Sequence, residues 1–310
     1  CAGGVAMNDR AASVLARLRN KARESGKPFQ LCLQLFCQEE FLRRLSISPY
    51  AGNLILKGGL FIYTLTRFES RATIDIDFLL RDFPNRVDDV RRIIDEIIAC
   101  DTGNDFIVFE PGGLEAITPQ REYAGVSARI VARIANTRTP FAVDFGVGDV
   151  IVPGSEMRKI PTQLEDFSIP VVCTYSLEST IAEKLDAMVS RLALTSRMKD
   201  FYDIWYLSQT FPFDGAVLLK AVTNTLSNRG TPWTRETFGE ILSFADNGEM
   251  LSKWRFFVKR LGLGELNFKA VLDGIGSFLS PVWNALSDEV SFSAVWDPVS
   301  GKWSPNVSKI

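Results

Sequence analysis

The stretch from Arg71 to Leu80 reads RATIDIDFLL, and it limits the fold more than any other part of the chain. Its apolar residues recur every second position, the period of a strand covered on one side. Asp75 and Asp77 then project from one face, while Ile74, Ile76 and Phe78 turn to the other. Two neighbouring carboxylates repel and raise each other's pKa unless a cation lies between them. The chain must therefore build a sheet. The acidic pair suits a divalent metal, although D-x-D alone also suits the polar outer face of an ordinary strand.

What precedes the pair adds weight. Asn53 to Leu56 is a short apolar run, Lys57-Gly58-Gly59 follows, and Leu60 to Phe68 has a helical pattern. Backbone N–H groups at a helix start, with no side chain in the way, form an anion site, and Lys57 adds positive charge. Gly-Gly by itself is also a plain tight turn. Strand, Gly-Gly, helix and D-x-D strand in that order say more than any one of them. A third carboxylate, Asp144, sits in FAVDFG, either as a strand-end turn residue or as the second-metal ligand and base that nucleotidyl transfer needs. Asp149 competes for that role. Farther on, Lys184 stands near the start of one predicted helix. Arg197 and Lys199 stand at the start of another, where the helix dipole disfavours cations. An anionic ligand would explain that placement; so would pairing of Lys199 with Asp203 at i,i+4.

Composition removes rival chemistries. The chain has no histidine, so Ser-His-Asp triads, Cys-His dyads and H-E-x-x-H zinc sites are excluded. Oxygen ligands remain, and they match Mg²⁺ or Mn²⁺. Net charge is −2, which argues against a uniformly basic nucleic-acid binder. Local basic clusters do occur. Residues 1–48 hold eight Lys/Arg against four Asp/Glu, and Arg121, Arg129, Arg133 and Arg138 form a second group. Candidates for RNA contact are Arg17, Lys21, Arg129 and Arg133, the last two sharing a strand face; the alternative role for each is solubility. No apolar run reaches the roughly 18 residues of a membrane span. Five cysteines without a C-x-x-C pair predict a reducing, cytoplasmic setting. The chain begins at Cys1, as a processed lipoprotein would; a trimmed terminus with Met7 as native start is the expectation.

Four segments are predicted. N-terminal helices (Asn8 to Glu24, Gln30 to Leu45) occupy 1–50. A mixed α/β unit spans 51–170, with Asn85 capping a helix from Arg86 to Ala99 and strands at Phe106 to Phe109, Gly125 to Ile134 and Pro140 to Gly146. A helical domain spans 171–285, its helices at Leu177 to Leu192, Met198 to Gln209, Asp214 to Ser227, Arg235 to Ala245, Glu249 to Leu261 and Phe268 to Leu279. A tail with a turn or small hairpin covers 286–310.

Five stretches together resemble the AbiEii/AbiGii-type nucleotidyltransferase toxins of bacterial toxin–antitoxin and phage-abortive systems. They are LKGGL from Leu56, RATIDIDF from Arg71, FAVDFGVGD from Phe141, IAEKLDAM from Ile181 and SRMKDFYDIWYL from Ser196. The resemblance implies an α+β fold: a polymerase-β-like nucleotidyltransferase core with a mixed sheet, N-terminal helices and a C-terminal helical domain. It gives Asp75 and Asp77 the metal and catalytic roles, and Gly58 and Gly59 the phosphate-binding helix start. Lys184 becomes the nucleotide-phosphate lysine, and Arg197, Lys199, Asp200 and Asp203 the second catalytic set. Thr73 falls where related toxins carry a hydroxyl open to inactivating phosphorylation. The wider superfamily reads Gly-Ser where this chain has Gly58-Gly59.

The function so implied is transfer of a nucleoside monophosphate from an NTP to the 3′ end of tRNA, blocking translation, with Mg²⁺ as cofactor and a cognate antitoxin as partner. Lys184 and Arg197 would neutralise the leaving phosphates, and Asp144 or Asp203 would orient or deprotonate the nucleophile. Rival readings are transfer to a protein hydroxyl or a small molecule, and a binding protein that has lost activity. A D-x-D glycosyltransferase ranks last, since fewer than 30 residues separate the first strand from Asp75.

Overall fold

The computed structural model describes residues 2–117 and 125–306, with side chains from Asp9 onward except that of Ala193. The chain divides into two compact units, residues 1–148 with 155–175, and residues 149–154 with 176–310. Each is described by itself.

The first unit contains, in order, α1 (Ala2–Ser25), α2 (Phe29–Ser46), β1 (Leu54–Lys57), α3 (Gly58–Leu65), β2 (Asp75–Leu80), α4 (Val87–Ile98), β3 (Ile107–Ile117), β4 (Gly125–Ile134), β5 (Thr137–Gly146), β6 (Glu156–Lys159) and β7 (Val171–Thr174). The strands form one seven-stranded mixed sheet in the order β3-β4-β5-β2-β1-β7-β6. β2 runs parallel to β5, and β1 parallel to β7; the other neighbours are antiparallel. β6 was not foreseen. Its four residues, EMRK, lack an apolar alternation, and pairing with β7 makes it a strand.

The alternation read from RATIDIDFLL holds from Asp75 onward. Ile76 and Phe78 are fully buried with Val143 and Phe145 of β5, and Phe41 of α2 packs over Phe78, Phe109 and Phe141. Ile74 departs from it: at 59% exposed it precedes the strand, and its carbonyl accepts from Gln34 and Gln38 of α2. α4 buries Val90, Ile93, Ile94 and Ile97, the i, i+3, i+4, i+7 stripe of an amphipathic helix. Its N-cap is Arg86, with no side-chain cap, rather than Asn85.

Every residue of α2 from Cys32 to Leu45 is buried, so two of the cations counted in the N-terminal basic cluster are not on the surface. Arg43 pairs with Glu40 at 2.9 Å and Glu39 at 3.4 Å and donates to the Ser168 carbonyl at 2.8 Å. Arg44 pairs with Glu40 at 3.2 Å and donates to the Ile107 carbonyl. Glu40 also accepts from Asn104, and Glu39 from the Gln163 amide. Burial pushes the Glu39 carboxyl up to about 8, against the opposing pull of the Gln163 amide and Arg43. This cluster ties α2 to the loops at 99–107 and 160–168.

The second unit contains α5 (Leu177–Arg191), α6 (Met198–Thr210), β8 (Phe213–Asp214), α7 (Gly215–Asn228), α8 (Thr237–Leu242), α9 (Gly248–Leu261), α10 (Phe268–Ser287), β9 (Ala294–Asp297) and β10 (Lys302–Pro305). Ser176, Asp214, Asn247 and Asn267 cap α5, α7, α9 and α10 through side-chain oxygens, the local reason those helices start where they do. α10 continues past its predicted end through Pro281. The tail forms the expected hairpin, and β8 joins it in a three-stranded sheet. Trp296, fully buried, donates to the Ser208 carbonyl at 2.6 Å, which docks the tail on α6.

Among the described residues no helix is long and apolar enough to cross a membrane, and Cys32, Cys37, Cys100 and Cys173 are free thiols.

Replacing Arg43 by Met should leave Glu39 without its cation and Glu40 with Arg44 alone. A loss of about 3–5 kcal/mol is expected in urea unfolding; a loss below about 1 kcal/mol would show the cluster to be dispensable.

Candidate functional site

The open face of the first sheet carries the acidic residues. In the parallel pair β2–β5, Asp77 lies opposite Asp144, and in the antiparallel pair β1–β2, Lys57 lies opposite Asp77. Ser127 of β4 lies opposite Asp144 and donates to its Oδ1 at 2.6 Å. Lys57, Asp77, Asp144 and Ser127 thus form one row across four strands. Register neighbours face the same way, about 4.8 Å apart from strand to strand. One step along, Asp75 is in register with Ala142, and Ala142 with Arg129. The structure therefore brings Asp75 and Asp77 to one face, as the alternation implies, and the β2–β5 register adds Asp144. Sequence reasoning missed Ser127. Its place between Val126 and Ala128 in the β4 alternation was visible, but its register was not.

The helix start is equally specific. β1 ends at Lys57, which is the N-cap of α3 and makes no side-chain cap bond. Lys57 Nζ lies 5.2 Å from the centre of the Tyr175 ring. Gly58 has φ +68°, and a Cβ there would stand 2.1 Å from Asp77 Oδ2. A Cβ on Gly59 would stand 2.8 Å from Thr73 Oγ1. Glycine is required at 58 twice over, by a left-handed backbone and by the carboxylate pressed against it. Thr73 lies in the loop before β2 with its hydroxyl at the same helix start.

Among the described residues, no three His, Cys, Asp or Glu side chains gather closely enough to enclose a metal by themselves. Magnesium does not ask for that. It is held through one or two carboxylates, with substrate phosphates and water completing the shell. Asp75, Asp77 and Asp144 offer oxygen donors only, which fits a hard cation.

In the second unit the motif residues form two ion clusters, the first buried and the second half-buried. Lys184, in the middle of α5 rather than near its start, reaches Asp203 at 2.6 Å and Asp200 at 3.3 Å. Arg197, the N-cap residue of α6, holds Asp200 at 2.6 Å. Asp200 and Asp203 are each 1% exposed. Burial acts to raise the Asp200 carboxyl, but Lys184 and Arg197 outweigh it and keep the group below the usual carboxylate range. Lys199 is exposed at the start of α6. The second cluster centres on Arg229, which pairs with Asp149 at 2.7 Å, Asp186 at 2.9 Å and Glu183 at 3.0 Å. Asp149, the rival to Asp144, is thereby placed in a structural cluster, and the acids flanking Lys184 in IAEKLDAM are explained.

The four arginine and lysine candidates for RNA contact do not form one patch. Arg129 and Arg133 share the open sheet face, the first 3.9 Å from Glu115 and the second paired with Glu110. Arg17 and Lys21 lie on α1, which packs on α2 behind the sheet, and Arg17 pairs with Asp166 at 2.7 Å. Arg121 lies outside the described residues.

The model of the AbiEii family, described as nucleotidyl transferase AbiEii toxin of type IV toxin–antitoxin systems, matches residues 40–274. The chain belongs to this family. No curated protein sequence matches it. Among solved structures it is similar to the nucleotidyltransferase toxin MenT4 from Mycobacterium tuberculosis, with TM-score 0.53 and 18% identity over 88% of this chain and 99% of that one. It is also similar to JHP933 from Helicobacter pylori, with TM-score 0.45 and 12% identity over 81% of this chain and 91% of that one. At 18% identity the likeness to MenT4 concerns the fold, which is that of a nucleotidyltransferase toxin. Family membership makes the chain a nucleotidyltransferase toxin of a type IV toxin–antitoxin system and implies an antitoxin partner.

Gly58→Ala should push Asp77 off the helix start. The expected result is roughly 1–3 kcal/mol lower stability and a loss of nucleotide transfer larger than that destabilisation explains. Full activity in the alanine variant would show that the approach of residue 77 to residue 58 is incidental.

Proposed function

We propose that the chain transfers a nucleoside monophosphate from an NTP to the 3′ end of tRNA and thereby blocks translation. The observation that carries this reading is the placement of Asp77 against the backbone of Gly58. A metal-binding carboxylate and an anion-binding helix start are adjacent, as a metal–triphosphate complex requires.

Asp75 and Asp77 would hold Mg²⁺ or Mn²⁺, which when bound supplies Lewis-acid neutralisation of phosphate charge, with Asp144 in the same row of the sheet. The N–H groups at the start of α3 receive triphosphate oxygens, with Lys57 adding positive charge. The acceptor hydroxyl attacks the α-phosphorus in line and pyrophosphate leaves. Asp144, oriented by Ser127, takes the hydroxyl proton. Thr73, at the same helix start, contacts the nucleotide. Arg129 and Arg133 lie on the same sheet face and contact acceptor phosphates.

In the second unit Lys184, Arg197 and Lys199 are the cations available to phosphate charge. Asp200 and Asp203 were expected as catalytic groups. Their burial against Lys184 and Arg197 makes positioning of the lysine the better assignment. The partner set is therefore NTP, the tRNA acceptor end and an antitoxin.

Transfer from each labelled NTP to total tRNA or to total protein, with and without Mg²⁺, tests the reading. Asp77→Asn should lose about three orders of magnitude or more in rate, and chelation should abolish activity. Asp203→Asn should chiefly raise the KM for NTP. Label entering protein but not tRNA would refute the acceptor assignment. Full activity of Asp77→Asn would refute the site.

A further inference from the structure

Helix α9 carries a surface that its own fold does not use. Met250, Trp254, Phe257 and Val258 are buried, and Trp254 stacks on Phe268 at 4.8 Å between ring centres. The opposite face carries Lys253, Arg255, Phe256, Lys259 and Arg260. At about 100° per residue these five cover an arc of about 160°. Phe256 is near its middle, with two cations on either side.

Phe256 is 69% exposed. A large ring left in water on an otherwise well-packed amphipathic helix gains nothing for folding. The surrounding charges are mostly positive, with Glu249 the one acid on this arc. Lys253 is held by Glu249 at 2.6 Å and by the Thr195 carbonyl at 3.0 Å. Arg255, Lys259 and Arg260 make no ion pair with a described residue. Arg255 and Lys259 are like charges at i,i+4, a spacing that costs an isolated helix stability. The helix dipole accounts for Lys259 and Arg260 in the last turn; it accounts for neither Arg255 nor the exposed ring. Four cations against one acid in this helix contrast with the net charge of −2 of the whole chain.

We infer that this face of α9 binds single-stranded RNA, a base stacking on Phe256 while Arg255, Lys259 and Arg260 contact the phosphates on either side. An exposed ring flanked by cations is the chemistry that recognises unpaired nucleotides without regard to sequence. Apolar docking of a protein would leave the cations unused, whereas RNA uses both. The inference rests on the proposed RNA acceptor and gives that acceptor a surface of its own, distinct from Arg129 and Arg133.

The test is fluorescence anisotropy of a labelled short single-stranded RNA with the full chain, without NTP, alongside nucleotide transfer to tRNA. Phe256→Ala should weaken binding about tenfold. Arg255→Glu with Lys259→Glu should weaken it more and flatten the dependence of affinity on salt, by about 0.7 in log–log slope for each phosphate left without its cation. Phe256→Ala should unfold at the wild-type urea concentration. The charge-reversed variant should remain folded, with a slightly lower midpoint from the helix dipole, and Asp77→Asn should bind RNA as the wild type does. Wild-type transfer to RNA with unaltered binding in the α9 variants would overturn this proposal alone. A wild type that neither binds nor labels RNA would overturn the acceptor reading with it. Loss of antitoxin binding in the α9 variants, with RNA affinity intact, would make the face a protein interface and overturn the proposal.

Discussion

The approach of Asp77 to the backbone of Gly58 constrains the first unit more than any other interaction. A carboxylate can stand that close to a helix start only where the chain has no Cβ and can take a left-handed turn. Once β1 ends in that turn, its antiparallel pairing with β2 sets Lys57 beside Asp77, and the parallel pairing of β2 with β5 sets Asp144 on the other side. A local steric requirement and a sheet register together gather three acids and a lysine on one face. Neither would do so alone.

The interior that supports this face is costly in charge. α2 runs behind the sheet with Glu39, Glu40, Arg43 and Arg44 buried, each neutralised by another or by loop amides and carbonyls. Such clusters add little net stability over apolar packing. They do fix which loops meet which helix, because a misplaced partner leaves a buried charge uncompensated. The second unit repeats the device twice. Lys184 is fixed by Asp200 and Asp203, and the strand connection at Asp149 is tied to α5 and α7 through Arg229. Positioning of long cationic side chains by buried carboxylates is thus common to both units.

Much of this was legible in the sequence where periodicity spoke directly. The alternation in RATIDIDFLL announced β2, and helices were read from the sequence over the ranges of α4 and α9. What stayed hidden depended on partners far along the chain. β6 is a strand only because β7 pairs with it, and Ser127 joins the acidic row only through the β4–β5 register. Arg43, Arg44, Asp200 and Asp203 look like surface charges until their burial is known. Asp149 competed with Asp144 until Arg229, eighty residues later, came into view. The short-range code names the groups, and tertiary register decides which of them meet.

The central claim is that Asp75 and Asp77 hold a divalent cation together with a triphosphate at the Gly58-Gly59 helix start. Electron paramagnetic resonance of Mn²⁺, titrated into the full chain with and without a non-hydrolysable NTP analogue, measures this directly. The account predicts that Mn²⁺ binding tightens with the analogue and is lost when both aspartates are changed to asparagine in a protein that remains folded. Equal Mn²⁺ affinity in that folded double variant, with the analogue present, would contradict it.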